Sequence, residues 1–217
     1  MLNEALLCTA AIFGGYLVGS IPFGVLVMRF AGAGDPRAIG SGNIGATNVL
    51  RSGRRDLAAL TLIGDGGKGA FAVLIAWLLT QHAPATSRHL VIALAAGSSF
   101  LGHLFPVWLG FKGGKGVATF FGTLLAAAWP VGLVSGATWL VMAAVFRLSS
   151  LAALTAAALA PAFALFVFDA PYPIVVLAVF MAILIFVRHQ ENISRLMRGE
   201  EPRIGKPKTK PEGTGEP

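Results

Sequence analysis

Four short stretches of this chain set cations, amides and hydroxyls among glycines or at a helix end. In Gly40-Ser41-Gly42-Asn43-Ile44-Gly45-Ala46-Thr47-Asn48-Val49-Leu50-Arg51 the glycines are free to take positive φ and let backbone N–H groups converge. Ser41, Asn43, Thr47 and Asn48 add neutral donors around one cation, Arg51. That is anion-binding chemistry, although an ordinary Gly-rich turn ahead of a helix cap uses the same residues. In Gly110-Phe111-Lys112-Gly113-Gly114-Lys115-Gly116-Val117, Lys112 and Lys115 stand where a helix begins, and free N–H groups and the helix dipole attract anions there. It is not a nucleotide-binding P-loop, because the positions of the first Gly and of the Ser or Thr hold Leu109 and Gly116. A basic turn resting on lipid headgroups is its alternative. Asp65-Gly66-Gly67-Lys68-Gly69 repeats the Gly-Gly-Lys-Gly string inside an apolar window. Asp65 and Lys68 at i, i+3 can pair with each other, or Lys68 can serve a substrate. In Arg188-His189-Gln190-Glu191-Asn192, His189 and Asn192 share one face of a helix and can reach one ligand. No role falls to His82 or His89, His103 serves to orient its span, and no histidine has metal-ligand spacing of the metalloprotease type.

The elements that must position these residues are set by composition. With 217 residues, 55% of them hydrophobic, 12% charged and a mean hydropathy of +0.73, the natural solvent of the chain is lipid. A net charge of +7 would suggest nucleic acid in a soluble protein. Here the basic residues lie between apolar stretches, as loops facing anionic headgroups or anionic substrates do, so a nucleic-acid partner is excluded. Cys8 is helix filler: Leu7 precedes it where a lipoprotein cleavage site needs a small residue, and Glu4 replaces a basic leader.

Six apolar windows run over Ala5–Met28, Leu57–Thr80, His89–Phe111, Val117–Phe146, Leu148–Phe168 and Ala170–Val187. The fourth is long enough for two short crossings and carries Trp129-Pro130 near its middle. Charge decides between one crossing and two. With Arg29 cytoplasmic, two crossings place Arg147, Arg188, Arg195, Arg198, Arg203, Lys206, Lys208 and Lys210 on the side of Arg37, Arg51, Arg54, Arg55, Lys112 and Lys115, leaving Arg88 outside and Lys68 within a span. The expected fold is therefore an all-α integral membrane protein of about seven short transmembrane helices, N-terminus outside and C-terminus cytoplasmic. Residues 1–198 form one membrane catalytic domain, and 199–217, rich in Lys, Glu, Pro and Gly, form a disordered cytoplasmic tail without a chemical role. The polar loops all fall on the cytoplasmic face.

Together these strings, with Gly19-Ser20-Ile21-Pro22-Phe23-Gly24, Gly102-His103-Leu104-Phe105-Pro106 and His189-Gln190-Glu191-Asn192-Ile193, resemble the bacterial family of membrane-integral glycerol-3-phosphate acyltransferases that use acyl phosphate. The resemblance runs from about Ala11 to Arg198 and implies seven spans, a cytoplasmic active site in the inner membrane and the product 1-acyl-glycerol 3-phosphate (lysophosphatidic acid). Carried over by position, it assigns the site to Ser41, Thr47, Asn48, Arg51, Lys115, Ser150, His189 and Asn192, with Ser149 beside Ser150 blurring that register. The catalytic candidates are thus Lys115, His189 and Ser150. The substrate-binding candidates are Ser41, Asn43, Thr47, Asn48, Arg51, Lys68, Lys112, Gly113, Gly114, Glu191 and Asn192. Acyl phosphate carries its own good leaving group, so His189 is expected to orient substrate through an imidazole N–H and not to act as an obligatory base. No metal or cofactor is expected, the partners are acyl phosphate, glycerol 3-phosphate and the bilayer, and a monomer is compatible with the sequence. Thioester-using acyltransferases carry an Asp five positions after a His; here those positions hold Ser87, Leu94, Trp108 and Ser194. A transporter of organic phosphates is the alternative from another class.

Overall fold

The computed structural model describes residues 3–205, and every secondary-structure element among them is helical. The N-terminal segment runs as α1 (Glu4–Gly19) and α2 (Phe23–Phe30), parted at Pro22, whose ring lacks the N–H needed to continue a helix. A polar loop follows, with the single turn α3 (Ala46–Val49). Then come α4 (Arg55–Leu79), α5 (Ala85–Leu104) and α6 (Val117–Ala127). The chain closes through α7 (Trp129–Phe146), α8 (Ser149–Ala162), α9 (Tyr172–Arg188) and α10 (Gln190–Met197). The long fourth window is broken where expected, at Ala128, and α7 restarts with Pro130 in its first turn, where a missing N–H costs nothing.

Among the described residues, five helical stretches are long and apolar enough to cross a membrane: Glu4–Phe30, Arg55–Leu79, Ala85–Leu109, Trp129–Phe146 and Ser149–Val167. Tyr172–Arg188 passes the same test only together with Gln190–Met197, from which it is bent by 63°, so the candidate spans number five, or six where that bent pair counts as one. Helix α6, with 11 residues, falls short by length; it rises about 16 Å at ~1.5 Å per residue, half of a ~30 Å hydrocarbon core. The chain is an all-helical, multi-pass integral membrane protein.

Lipid offers no hydrophobic force to drive helices together, so close backbone approach must do it. Here α1 lies against α5 through Gly15, Gly19 and Gly102, where an added methyl group would collide with Ala95 O, Ser99 O and Tyr16 O respectively. Helix α4 meets α6 the same way: a Cβ on Gly122 would strike Gly66 O, one on Gly69 would strike the Thr123 side chain, and Thr119 Oγ1 donates to Asp65 O at 2.8 Å. Gly66 and Gly69 are thus packing glycines. Around Phe100, Leu104, Phe120, Leu124, Ile174, Met181 and Ile185 the inner faces of α5, α6 and α9 close a buried core. Away from this core, Phe71 on α4 and Ile183 on α9 are exposed on the outer surface.

Candidate active site

The loop from Gly40 to Arg51 is organised by Asn48. Its amide nitrogen donates to Pro36 O, Asn43 O and Ile39 O at 2.6, 2.7 and 3.1 Å, and its Oδ1 accepts from the Ser41 N–H and hydroxyl at 2.9 and 3.2 Å. Gly40 and Gly42 take the positive φ (+55° and +70°) that this wrapping requires. Asn48 is 2% exposed and fully engaged by the loop, so its contribution to a ligand is to hold Ser41 and Asn43 in place. Met28, Val49, Leu57 and Ala58 form a small apolar cluster beneath the loop. Arg51 makes no ion pair among the described residues, which suits a cation kept for an incoming anion.

The Lys115 loop is built on the end of α5 and tied to the end of α9. Gly113 N–H and Gly114 N–H donate to Leu104 O and His103 O, both at 3.1 Å, and the His103 imidazole fills the space a Gly114 side chain would need. From the other side Arg188, its guanidinium 5.6 Å from the Phe105 ring centroid, donates to Gly113 O at 3.1 Å and Gly114 O at 3.2 Å. Gly116, at φ +86°, then turns the chain into α6. The first N–H groups of α6, which lack intrahelical partners, follow directly on Lys115.

Helix α10 crosses over this arrangement because the chain bends at His189. Asn192 Oδ1 accepts from Lys115 Nζ, Asn192 Nδ2 donates to Glu201 Oε1 at 2.6 Å, and Glu201 Oε2 accepts from Arg195 Nε at 2.7 Å. Residues Gly199–Gly205, expected to belong to a featureless tail, instead return to the site. Ile204 N–H donates to Arg147 O at 2.7 Å and Arg147 Nη2 donates back to Ile204 O at 3.1 Å, which carries Glu201 inward. Lys206, Lys208, Lys210 and the rest of the expected tail lie outside the described residues. Burial raises the Glu201 pKa, but its donors Asn192 and Arg195, with the nearby Ser150 hydroxyl, outweigh that and leave it below its ordinary value. The Ser150 hydroxyl, buried at 4% exposure, approaches this carboxylate without completing a hydrogen bond.

His189 sits just beyond α9, 3% exposed, with Nδ1 2.8 Å from Ile185 O. A carbonyl oxygen can only accept, so Nδ1 carries the proton. Burial, reinforced by the charge of Lys115, pushes the pKa down to about 4. The imidazole is therefore neutral at pH 7 and presents Nε2 as an acceptor, which reverses the N–H donation expected from sequence. Lys115 is shifted down as well, by burial first and by Arg195 next.

These groups line one cavity of about 780 Å³. Ser41, Asn43, Thr47, Asn48, Arg51, Lys115, Ser149, Ser150, His189, Glu191 and Asn192 face it at its polar end, together with Asp65, His103, Arg195 and Glu201. Leu62, Phe121, Leu125, Leu133, Gly136, Leu140 and Ala153 continue it as an apolar wall. The structure does not bring Lys68, Lys112, Gly113 or Gly114 to its surface. Lys68 is buried in the Asp65 pair at 3.1 Å and donates to Ile21 O at 2.9 Å, the structural reading of that stretch. Lys112 is exposed, and Gly113 and Gly114 hold the loop from beneath. Arg195 and Glu201 were missed from sequence. Arg195 stands three residues after Asn192 on the same helical face, a signal that was there to be read; Glu201 had none beyond the single apolar Ile204 in its stretch.

A cavity with a cationic, hydroxyl-lined end and an apolar end suits an amphiphile with an anionic head. The family model described as glycerol-3-phosphate acyltransferase matches residues 9–199. The chain belongs to this family. The acyltransferase of Caulobacter vibrioides is 70% identical over 198 residues, which cover 91% of this chain and 88% of that relative. That of Paramagnetospirillum magneticum is 58% identical over 205 residues, covering 94% and 98%. Among solved structures, the crystal structure of PlsY (YgiH), an integral membrane glycerol 3-phosphate acyltransferase, superposes in its glycerol 3-phosphate form with a TM-score of 0.83 at 38% identity, covering 91% of this chain and 96% of that one. Its lysophosphatidic acid form gives 0.81 at 37% identity, covering 91% and 95%. The membership makes this chain a glycerol-3-phosphate acyltransferase of phospholipid synthesis and sets aside the transporter alternative.

Proposed function

We propose that this acyltransferase takes its acyl group from an acyl phosphate, binds glycerol 3-phosphate at the polar end of the cavity and releases lysophosphatidic acid and inorganic phosphate. The observation that carries the reading is the cluster of Arg51, Lys115, Arg195, Asn192 and Ser150 around one polar chamber, continuous with an apolar one. Two phosphates must approach each other during the reaction, and cations with oriented amides screen that repulsion. The glycerol hydroxyl oxygen attacks the acyl carbonyl carbon, the bond from that carbon to the phosphate oxygen breaks, and phosphate leaves with the electron pair and takes up the hydroxyl proton. His189 Nε2 accepts from the attacking hydroxyl and aims it. Asn43 Oδ1, buried without a partner among the described residues, offers a second acceptor for glycerol hydroxyls. Ser150 Oγ and Lys115 Nζ face the developing negative charge, while Ser41, Thr47, Arg51, Asn192 and the exposed Glu191 complete the wall. Lys68, Gly113 and Gly114 support that wall from behind.

The test is turnover by the purified protein in detergent. Acyl phosphate should support it, and acyl-coenzyme A or acyl carrier protein should give at least a hundredfold less. Equal turnover with a thioester would replace the donor in this reading.

The finer topology follows the same line. Seven crossings, with the short α6 accommodated by tilt or local bilayer thinning, place the cavity mouth on the cytoplasmic face and the N-terminus outside, in a bacterial inner membrane. Residues 1–198 act as the single catalytic domain, with Glu201 reaching back to it. A cysteine at Ala128 should react with an impermeant reagent from outside, and one at Arg195 from inside only; reaction of both from one side would reject the seven-crossing arrangement.

A further inference from the structure

The apolar wall of the cavity contains a glycine whose place in the fold is unlike that of its neighbours. Gly132 on α7 is locked against α6, where an added Cβ would lie 2.5 Å from Leu125 N and 2.7 Å from Leu125 Cα. One turn on, Gly136 meets nothing within 4 Å at its Cβ position, yet it lines the cavity. Packing does not require a glycine there, and helix propensity argues against one, since Gly in a helix interior is less favourable than Ala. What the missing side chain leaves is room inside the cavity.

The depth of that room is meaningful. The polar groups lie at the end of α7 that leads through Arg147 to Ser149 and Ser150. From Phe146 at that end back to Gly136 the helix rises about 15 Å at ~1.5 Å per residue, comparable with half of the ~30 Å hydrocarbon core. An acyl chain whose carbonyl sits among Lys115, Ser150 and His189 therefore runs past Gly136 near its far end. Leu133 and Leu125 stand beyond it on the same wall. We infer that Gly136 sets the acyl-chain length that this enzyme accepts, by leaving open the stretch of cavity through which the distal methylenes of a long donor pass. The inference rests on the acyl-phosphate reading above.

The experiment compares kcat/KM for acyl phosphates of increasing chain length in the starting protein, Gly136→Ala and Gly136→Leu, with the KM for glycerol 3-phosphate measured alongside. Gly14→Leu is the control, because Gly14 on α1 also has open space at its Cβ position but does not line the cavity. Gly136→Leu should lower kcat/KM for the longest donors at least tenfold relative to the shortest, Gly136→Ala should do so to a smaller degree, and Gly14→Leu should leave the profile unchanged. The KM for glycerol 3-phosphate should stay within a factor of two. An active starting protein whose chain-length profile survives Gly136→Leu, or a loss equal at all chain lengths, overturns the inference alone. A starting protein inert with every acyl phosphate overturns the donor reading and this inference together.

Discussion

Lys115→Met is expected to lower kcat/KM by ~10²- to 10³-fold, the loss that follows removal of one preorganised electrostatic donor from a site where charge develops. Most of the apolar stem remains, and the loop beneath it is held at its own backbone by His103 O, Leu104 O and the Arg188 guanidinium, so the fold should remain. Thermal unfolding in detergent within a few degrees of the starting protein would confirm that separation. Charge matters here, and Lys115→Arg should retain much more activity than Lys115→Met. The Lys115 pKa is lowered, chiefly by burial, so the charged form is lost as pH rises at a value below the ordinary lysine pKa. The starting protein should accordingly lose activity on the alkaline side earlier than Lys115→Arg, whose guanidinium stays charged. Identical alkaline limbs in the two proteins would mean that the lysine charge is not the quantity the reaction uses.

His189→Ala should cost about 10²-fold in kcat/KM, the loss that follows when the attacking hydroxyl is no longer held in line with the carbonyl carbon. His189→Gln, which can return an oxygen acceptor to the same place, should recover part of it. The sign of the pH effect follows from the environment: burial holds the histidine pKa down to about 4, so the imidazole is neutral through the physiological range and charges only on strong acidification. Substrate phosphates titrate near pH ~6 on their own account, and that contribution cancels in the ratio of the starting protein to His189→Gln. The ratio should be flat from neutral pH down to about pH 5 and fall only below it. A midpoint at the ordinary histidine value of ~6.5 would show a histidine exposed to solvent and refute the geometry at Ile185.

The sequence carried the solvent class and the loops, and for a physical reason. Apolar windows of span length and glycine-rich loops with clustered donors are local patterns, and Ser41, Thr47, Arg51, Lys115, His189 and Asn192 belong to such patterns. Ser150 was legible only through the family resemblance, because a serine in a Ser-Ser pair has no distinctive local context. What is not local was not legible. Whether Lys68 reached a ligand or Asp65 depended on how α4 turns between α1 and α6, and the buried ion pair follows from that rotation. Asn48 looked like a donor to substrate and is the brace of its own loop, which only the fold of residues 36–43 around it reveals. Glu201 lay in a stretch whose composition argues for disorder, and its place depends on the paired backbone bonds between Ile204 and Arg147. The tautomer of His189 is likewise invisible until Ile185 O is found beside it.

The glycine contacts between α1 and α5 bear on how this protein can vary over evolutionary time. On the bilayer-facing side, one apolar residue exchanges for another with little consequence, because lipid tails accept any hydrocarbon outline. On the inner seam the requirement is the opposite: at Gly19 the neighbouring Ser99 backbone leaves no space for even one carbon atom. The last turn of α5 carries His103, on which Gly114 rests, and Gly114 adjoins Lys115. A methyl group introduced midway through the membrane thus displaces the rod whose tip supports Lys115. Distance from the reacting atoms is a poor guide to sensitivity in such a scaffold: the outer surface has room for exchange of one apolar residue for another, and the seams have none.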